Sequence, residues 1–189
     1  MKRLIAAGAV AALAVLVAIP TFAAAKKPAA KQAGWAVCRE HPILHISPPL
    51  TFGAPHQATF NVSDVLESCS SSDPTIDRGI ANIQARTTKA GASCNGGALT
   101  GVARIRWNNG RTTRVNFGAS FGAGFARAAG HVVGGSEFVG KSFAALDHLL
   151  IDQVAIQLCG TPSVGLSTLA SDGDIAIGAP PSAGVVWAP

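Results

Sequence analysis

Ser120 stands in the pentapeptide GASFG, Gly118 to Gly122, a Gly-x-Ser-x-Gly pattern. In acyl-transferring hydrolases that pattern raises a nucleophilic serine on a sharp turn between a strand and a helix. Such a serine needs a carboxylate and then a histidine further along the chain. Here His131 precedes Asp147, and His148 is that aspartate's immediate neighbour, so on a strand the two would face opposite ways. The chain also lacks the alternation of strands and helices that carries an elbow. A secreted serine esterase using Ser120 is therefore the alternative reading, and no catalytic residue is assigned.

Metal chemistry finds no better support. His41 and His45 are four apart, a ligand spacing only on a helix, and HPILHIS with its internal proline reads as extended. On a strand they would lie roughly 13 Å apart at the usual rise. His56 falls in a loop, Asp147, Asp152, Asp172 and Asp174 are scattered, and SDGDI reads as a turn rather than a calcium loop. GAGFARAAG lacks the lysine of a phosphate loop, and Asn61-Val62-Ser63 is a glycosylation sequon. No two of the four cysteines, Cys38, Cys69, Cys94 and Cys159, form a zinc half-site. Neither a metal nor a cofactor is expected.

The densest cationic feature is RIRWNNGRTTRVNF, Arg104 to Phe117, in a chain with only 13% charged residues. A two-residue turn at Asn109-Gly110 would scatter its apolar side chains over both faces. A three-residue loop, Asn108-Asn109-Gly110, instead gathers Ala103, Ile105, Trp107, Thr113, Val115 and Phe117 on one face. A large apolar side chain left in water forfeits roughly 1.5–3 kcal/mol, so the second register is expected. It places Arg104 opposite Arg114 and Arg106 opposite Thr112, all facing outward, with Arg111 turned toward Trp107 for a cation–π contact. Like charges opposite one another need acidic neighbours or an anion. Arg104, Arg106 and Arg114 are thus a candidate anion-binding set, against the plainer reading of a solvated face, and the partner expected for the protein is an acidic envelope polymer or another secreted protein.

The elements that must carry these residues begin after a leader. Lys2-Arg3, the apolar run from Leu4 to Ile19, Pro20 and the small-residue end TFAAAKK predict a signal peptide over 1–25, followed by a basic linker over 26–33. Five of the fifteen basic residues precede Gly34, which leaves ten against ten acidic ones in the mature domain. The pI near 9.4 therefore predicts no nucleic-acid partner. No later segment is long and apolar enough to span a membrane once the signal is removed. The cysteines all follow the signal, where disulfides persist, and the protein is expected to be secreted or held in the cell envelope. Three pairings are open to four cysteines; Cys38 with Cys69 and Cys94 with Cys159 is preferred.

From Gly34 short runs of alternating polarity recur between Gly, Pro, Asn, Asp and Ser clusters, the pattern of an all-β sandwich or barrel, in a domain over 34–178 with an extended tail over 179–189. Candidate strands are 35–38, 43–47, 58–63, 80–86, 101–107, 111–117, 131–133, 150–159, 165–170 and 174–178. SPPLTFGAPH, SCSSSDPTID and KAGASCNGG read as loops. The segments 118–135 and 141–150 fit strand, helix or loop.

The ordered set Cys38, PPLTFG, FNVSDVLESC, CNGGALTGVARIRWNNGRTTRV, GHVVGGSEFVGKSF and QLCGTPSVGLSTLASDGDIAI resembles small secreted β proteins of actinobacteria. These carry a strand ending in Trp, a glycine turn, a Thr-rich return strand and a Gly-x-Phe-x-Gly step, here within GSEFVG. The resemblance covers most of Gly34 to Gly178 and departs from the family in the His and Arg content and in the Ala-rich stretch after Phe117. It implies an immunoglobulin-like or similar Greek-key antiparallel β-sandwich, braced by disulfides, with no activity attached. The expectation is a non-catalytic binding or structural module.

Overall fold

The computed structural model describes residues 34–178. The expected signal peptide, basic linker and C-terminal tail lie outside the described residues. Nine strands and one helix follow in chain order: β1 (Ala36–Glu40), β2 (Ile43–Leu50), β3 (Thr59–Ser71), β4 (Gly79–Ser93), β5 (Gly96–Trp107), β6 (Thr112–Gly122), β7 (Phe125–Gly135), β8 (Ser142–Leu149), α1 (Gln153–Cys159) and β9 (Leu166–Ile177).

The sheet closes on itself. From β3 to β9 each strand pairs with the next one in the chain, and β1 and β2 both pair with β9 on one side and β3 on the other. Glu40 opposes Gly173 and Ile43 opposes Ala170, the same step along both strands, so β1 and β2 lie in one line with continuous register. Pro42 interrupts that line because it has no amide hydrogen to donate, although its carbonyl still accepts from Ser171 N–H at 3.0 Å. The result is an eight-stranded antiparallel barrel with one additional strand, not the expected sandwich. Sandwich and barrel strands share the same two-residue alternation, so sequence pattern does not separate them. Closure rests on β3 meeting β4 and on β1 and β2 bridging β3 to β9. A further sign lies in strand length: β4 runs 15 residues and β3 runs 13, long enough to wrap a tilted wall.

Several local expectations change with the fold. The predicted strand 150–159 is instead α1, started by Asp152, whose side chain accepts the Ala155 N–H at 2.8 Å as an N-cap. SDGDI is not a turn but the middle of one continuous strand, β9. SPPLTFGAPH begins inside β2, SCSSSDPTID begins inside β3, and KAGASCNGG belongs mostly to the β4–β5 hairpin. The open segment 118–135 is the β6–β7 hairpin, and 142–149 is β8. The Trp107 hairpin has the register expected of a three-residue loop: Arg104 opposes Arg114, Arg106 opposes Thr112, and Gly110 adopts φ +80°.

One half of the interior is filled. Trp107, Phe138, Leu66, Ile105, Val115 and Ile177 are buried there together. Trp107 Nε1 donates to Thr113 Oγ1 at 2.8 Å, and Phe138 meets the indole edge-on with ring centroids 5.6 Å apart. The turn after β7 delivers Phe138 and carries Glu137 in beside it. Arg111 does not stack on Trp107: its guanidinium donates to the fully buried Glu137 carboxylate at 2.6 Å and to Asp73 at 3.3 Å. A buried carboxylate is a far stronger claim on a guanidinium than an indole face. Cys38 is bonded to Cys69 in this half, and Cys94 to Cys159 at the other end.

Candidate functional site

The second half of the barrel is underfilled, and the sequence explains why. Inward positions on the β6–β7 hairpin after Phe117 are Ala119, Phe121, Ala126 and Ala128, so most of this wall presents only a methyl group to the interior. Ala85 on β4 and Ala145 on β8 do the same. Between them lies a chamber of about 100 Å³ that borders a larger one of about 270 Å³. The two share Leu44, Phe60, Leu99, Ala119, Ala126 and Leu149 as lining and adjoin across these largely small or apolar side chains. Together they fall at the lower end of the range typical of small-molecule pockets, roughly 300–1,000 Å³.

α1 and the loop after β2 frame the outer end of this space. Ile156 of α1, Ile151 and Phe52 line it while remaining exposed, at 51%, 44% and 46% of their surface. The Cys94–Cys159 disulfide ties the C-terminal end of α1 to the β4–β5 turn. Phe52 N–H donates to the Cys159 carbonyl at 3.0 Å, and Cys94 N–H to Thr51 at 2.9 Å. The mouth is therefore apolar and stapled.

The inner end is polar. Glu40 on β1, Asp64 on β3, Asp147 on β8 and Ser171 on β9 all occupy inward positions at the boundary between the filled and underfilled halves. Glu40 is 2% exposed and Ser171 3%. Gly173 is the strand neighbour of both Glu40 and Asp147, and a Cβ there would collide with Asp147 Oδ1 and the Leu146 carbonyl. Its missing side chain lets two carboxyl groups from strands on either side lean over β9 and meet. Burial, reinforced by the negative charges of Asp147 and Asp64, pushes the Glu40 carboxyl well above its ordinary value. Burial also pushes Asp147 up to about 6 against the opposing hydrogen bond to Glu40, and raises Asp64. Asp64 Oδ2, Asp147 Oδ1 and Ser171 Oγ are buried without a hydrogen-bond partner. Unpaired buried oxygens of this kind are uncommon and costly.

Arg104, Arg106 and Arg114 lie on the outer wall, as parity requires. Among the described residues none of the three makes an ion pair. The ion pairs there are Arg39 with Asp172, Arg78 with Asp77, and Arg111 with Asp73 and Glu137, and His41 Nδ1 lies 3.2 Å from Asp172 Oδ1. Arg86 on β4 joins Arg104 and Arg114 along an open groove bordered by Asn61, Asn82, Gln84 and Asn116, while Arg106 lies outside that groove, beside Arg78 and Ile80. Ser120 is exposed within β6, opposite Ala98 on one side and Arg127 on the other, so it stands on a regular strand rather than an elbow. His131 opposes Asn116, four positions from Ser120, and no hydrogen bond joins Ser120 to a histidine or carboxylate among the described residues. His41 and His45 are both exposed, on either side of the β1–β2 interruption. No cluster of His, Cys, Asp or Glu among the described residues has the arrangement of a metal site. Nor is any described helix long and apolar enough to cross a membrane.

Glu40, Asp147 and Ser171 were not legible as a group, because 107 residues separate Glu40 from Asp147. Two signals point toward them in retrospect: an acidic side chain at an inward position of an alternating strand, and a glycine in the middle of β9. No family model matches the chain, and no curated protein or solved structure is significantly similar to it.

Proposed function

We propose that the protein is exported and acts outside the cytoplasm as a non-catalytic binding module that holds a small apolar molecule inside its barrel. The observation that carries this reading is the underfilled, apolar space behind a stapled mouth, in a barrel whose other half is packed to completion. Eight strands enclose an interior that side chains can just fill, or that can hold one small ligand when they do not. Two disulfides, and the leader expected at the N-terminus, support work in an oxidising compartment. The test is calorimetric titration of the disulfide-intact protein with short-chain apolar molecules. Replacing Ala126 by leucine, which fills the chamber from its wall, is expected to abolish binding and preserve the fold. Unchanged affinity in that variant would refute the interior site.

The outer arginines favour a second role. Arg104 and Arg114 lie beside Arg86 and a row of amide side chains, Arg106 shares their outward face, and among the described residues none of the three has an acidic ion-pair partner, which suits an acidic envelope polymer lying across β4, β5 and β6. Replacing Arg104, Arg106 and Arg114 with glutamine is expected to abolish retention on an immobilised polyuronate at low salt. Retention equal to wild type would refute the role, and wild-type retention should itself weaken with salt.

A further inference from the structure

We propose that the polar floor of the barrel cavity is an ammonium subsite: the ligand is a small lipophilic amine whose protonated nitrogen lies between Glu40 and Asp147 and donates to Ser171 Oγ, with its apolar part extending toward α1. The inference rests on the reading of the barrel as a ligand holder and adds the chemistry of the ligand. Its first support is position. The carboxyl pair stands apart from the Arg111–Glu137 pair of the filled half and borders the open chamber, whose lining includes Glu40, Asp147 and Ser171. Its second support is unmet hydrogen bonding. Ser171 Oγ is almost completely buried and has no partner, and Asp147 Oδ1 likewise has none. A group with several N–H donors satisfies a hydroxyl and two carboxylates at once, and a hydroxyl-bearing ligand satisfies only one acceptor by donation.

The third support is charge. The strongest charges acting on Glu40 come from Asp147, Asp64 and Asp174, all negative. Those on Asp147 come from Asp64, Asp172 and Asp174. The basic groups nearby serve elsewhere or face out: Arg39 and His41 pair with Asp172, His148 is exposed against Phe125, and Arg127 borders the chamber from β7 with an exposed side chain. A cationic ligand head supplies the missing positive charge, and an anionic head such as a fatty acid carboxylate is repelled. Gly173 contributes by absence, since any side chain there would separate the two carboxyl groups.

The test uses octylamine, octanol and octanoate titrated into the full disulfide-bonded chain near neutral pH. The expected result is octylamine binding about tenfold or more tightly than octanol, from charge-assisted hydrogen bonding, with no measurable octanoate binding. A Glu40→Gln/Asp147→Asn double variant is expected to lose the amine preference and keep its octanol affinity. Ser171→Ala, which removes only an unpartnered oxygen, provides a variant that folds if the double one does not, and lowers amine affinity alone. Because the amine takes the place of a proton on the pair, its affinity rises between about pH 5 and pH 7 while that of octanol stays level. Equal affinities for octylamine and octanol, or an amine preference surviving both variants, would overturn the ammonium subsite and leave the apolar cavity standing. Binding by none of the three would overturn both.

Discussion

Replacing Asp147 with asparagine is expected to stabilise the ligand-free barrel at neutral pH and to leave it nearly unchanged in acid. Burial moves this carboxyl from 3.8 in the unfolded chain to about 6 in the barrel. Between those values the folded state holds more protons than the unfolded one, so stability falls as pH rises. The loss is absent below both values and complete above about 6, where a displacement of that size costs on the order of 3 kcal/mol. Asparagine keeps the shape and an N–H that can donate to Glu40, and it cannot ionise. Glu40, raised by burial and by the Asp147 charge, acts in the same direction, so the asparagine also relaxes its neighbour.

The measurement is urea unfolding of both proteins, followed by tryptophan fluorescence at intervals from about pH 4 to pH 8. The difference between them is expected to grow from near zero to roughly 2–3 kcal/mol, or about 5–10 °C in Tm for a domain of this size. Working with the difference cancels groups the mutation leaves alone. Among these is Asp172, whose carboxyl is lowered by Arg39 and whose contribution is lost as pH falls. An offset that is constant across the range, or largest in acid, would refute the assignment of a buried, proton-hungry pair.

Three other outcomes follow from the same geometry. Gly173→Ala pushes a methyl group into Asp147 and the Leu146 carbonyl, and is expected to cost about 1–3 kcal/mol in urea unfolding and to erase the pH-dependent gain of Asp147→Asn when the two are combined. Arg111→Met leaves the fully buried Glu137 without its guanidinium, and a loss of about 3–5 kcal/mol is expected by thermal denaturation. Replacing Cys94 and Cys159 with alanine opens a link spanning 65 residues, and is expected to lower stability by up to about 4 kcal/mol while making the α1 segment the first site of limited proteolysis.

What the sequence made legible was whatever alternation and turn chemistry encode locally. The register of the Trp107 hairpin follows from the burial of Ile105, Trp107, Val115 and Phe117 together, because slipping it by one residue would turn the pair on one strand outward. Its failures came where a residue answered to a distant neighbour. Gly173 looks like a turn glycine until Glu40 and Asp147 are seen to meet above it. Arg111 was assigned to the adjacent indole because nothing in the sequence brings Glu137 to the same place. The run Leu150 to Cys159 alternates as a strand would, yet Asp152 caps a helix there and Val154 and Ile156 stay exposed. The sandwich was overturned by pairings between β3 and β4 and across β1, β2 and β9 that no local pattern records.

The barrel's two halves make opposite uses of the same wall. In one, large inward side chains, an indole hydrogen bond and the buried Arg111–Glu137 pair pack together, and the Cys38–Cys69 bond lies within that packing. In the other, alanines give up the interior, and the second disulfide restrains the helix at the mouth. Apolar lining left without packing partners forfeits dispersion contacts, a cost the filled half does not carry. A ligand bound there would recover part of that cost. Adding two buried carboxyl groups deepens it further, and only a proton or a cation relieves them. The carboxyl pair borders the smaller chamber that adjoins the larger apolar one, which is the reason to read the two penalties together as one site.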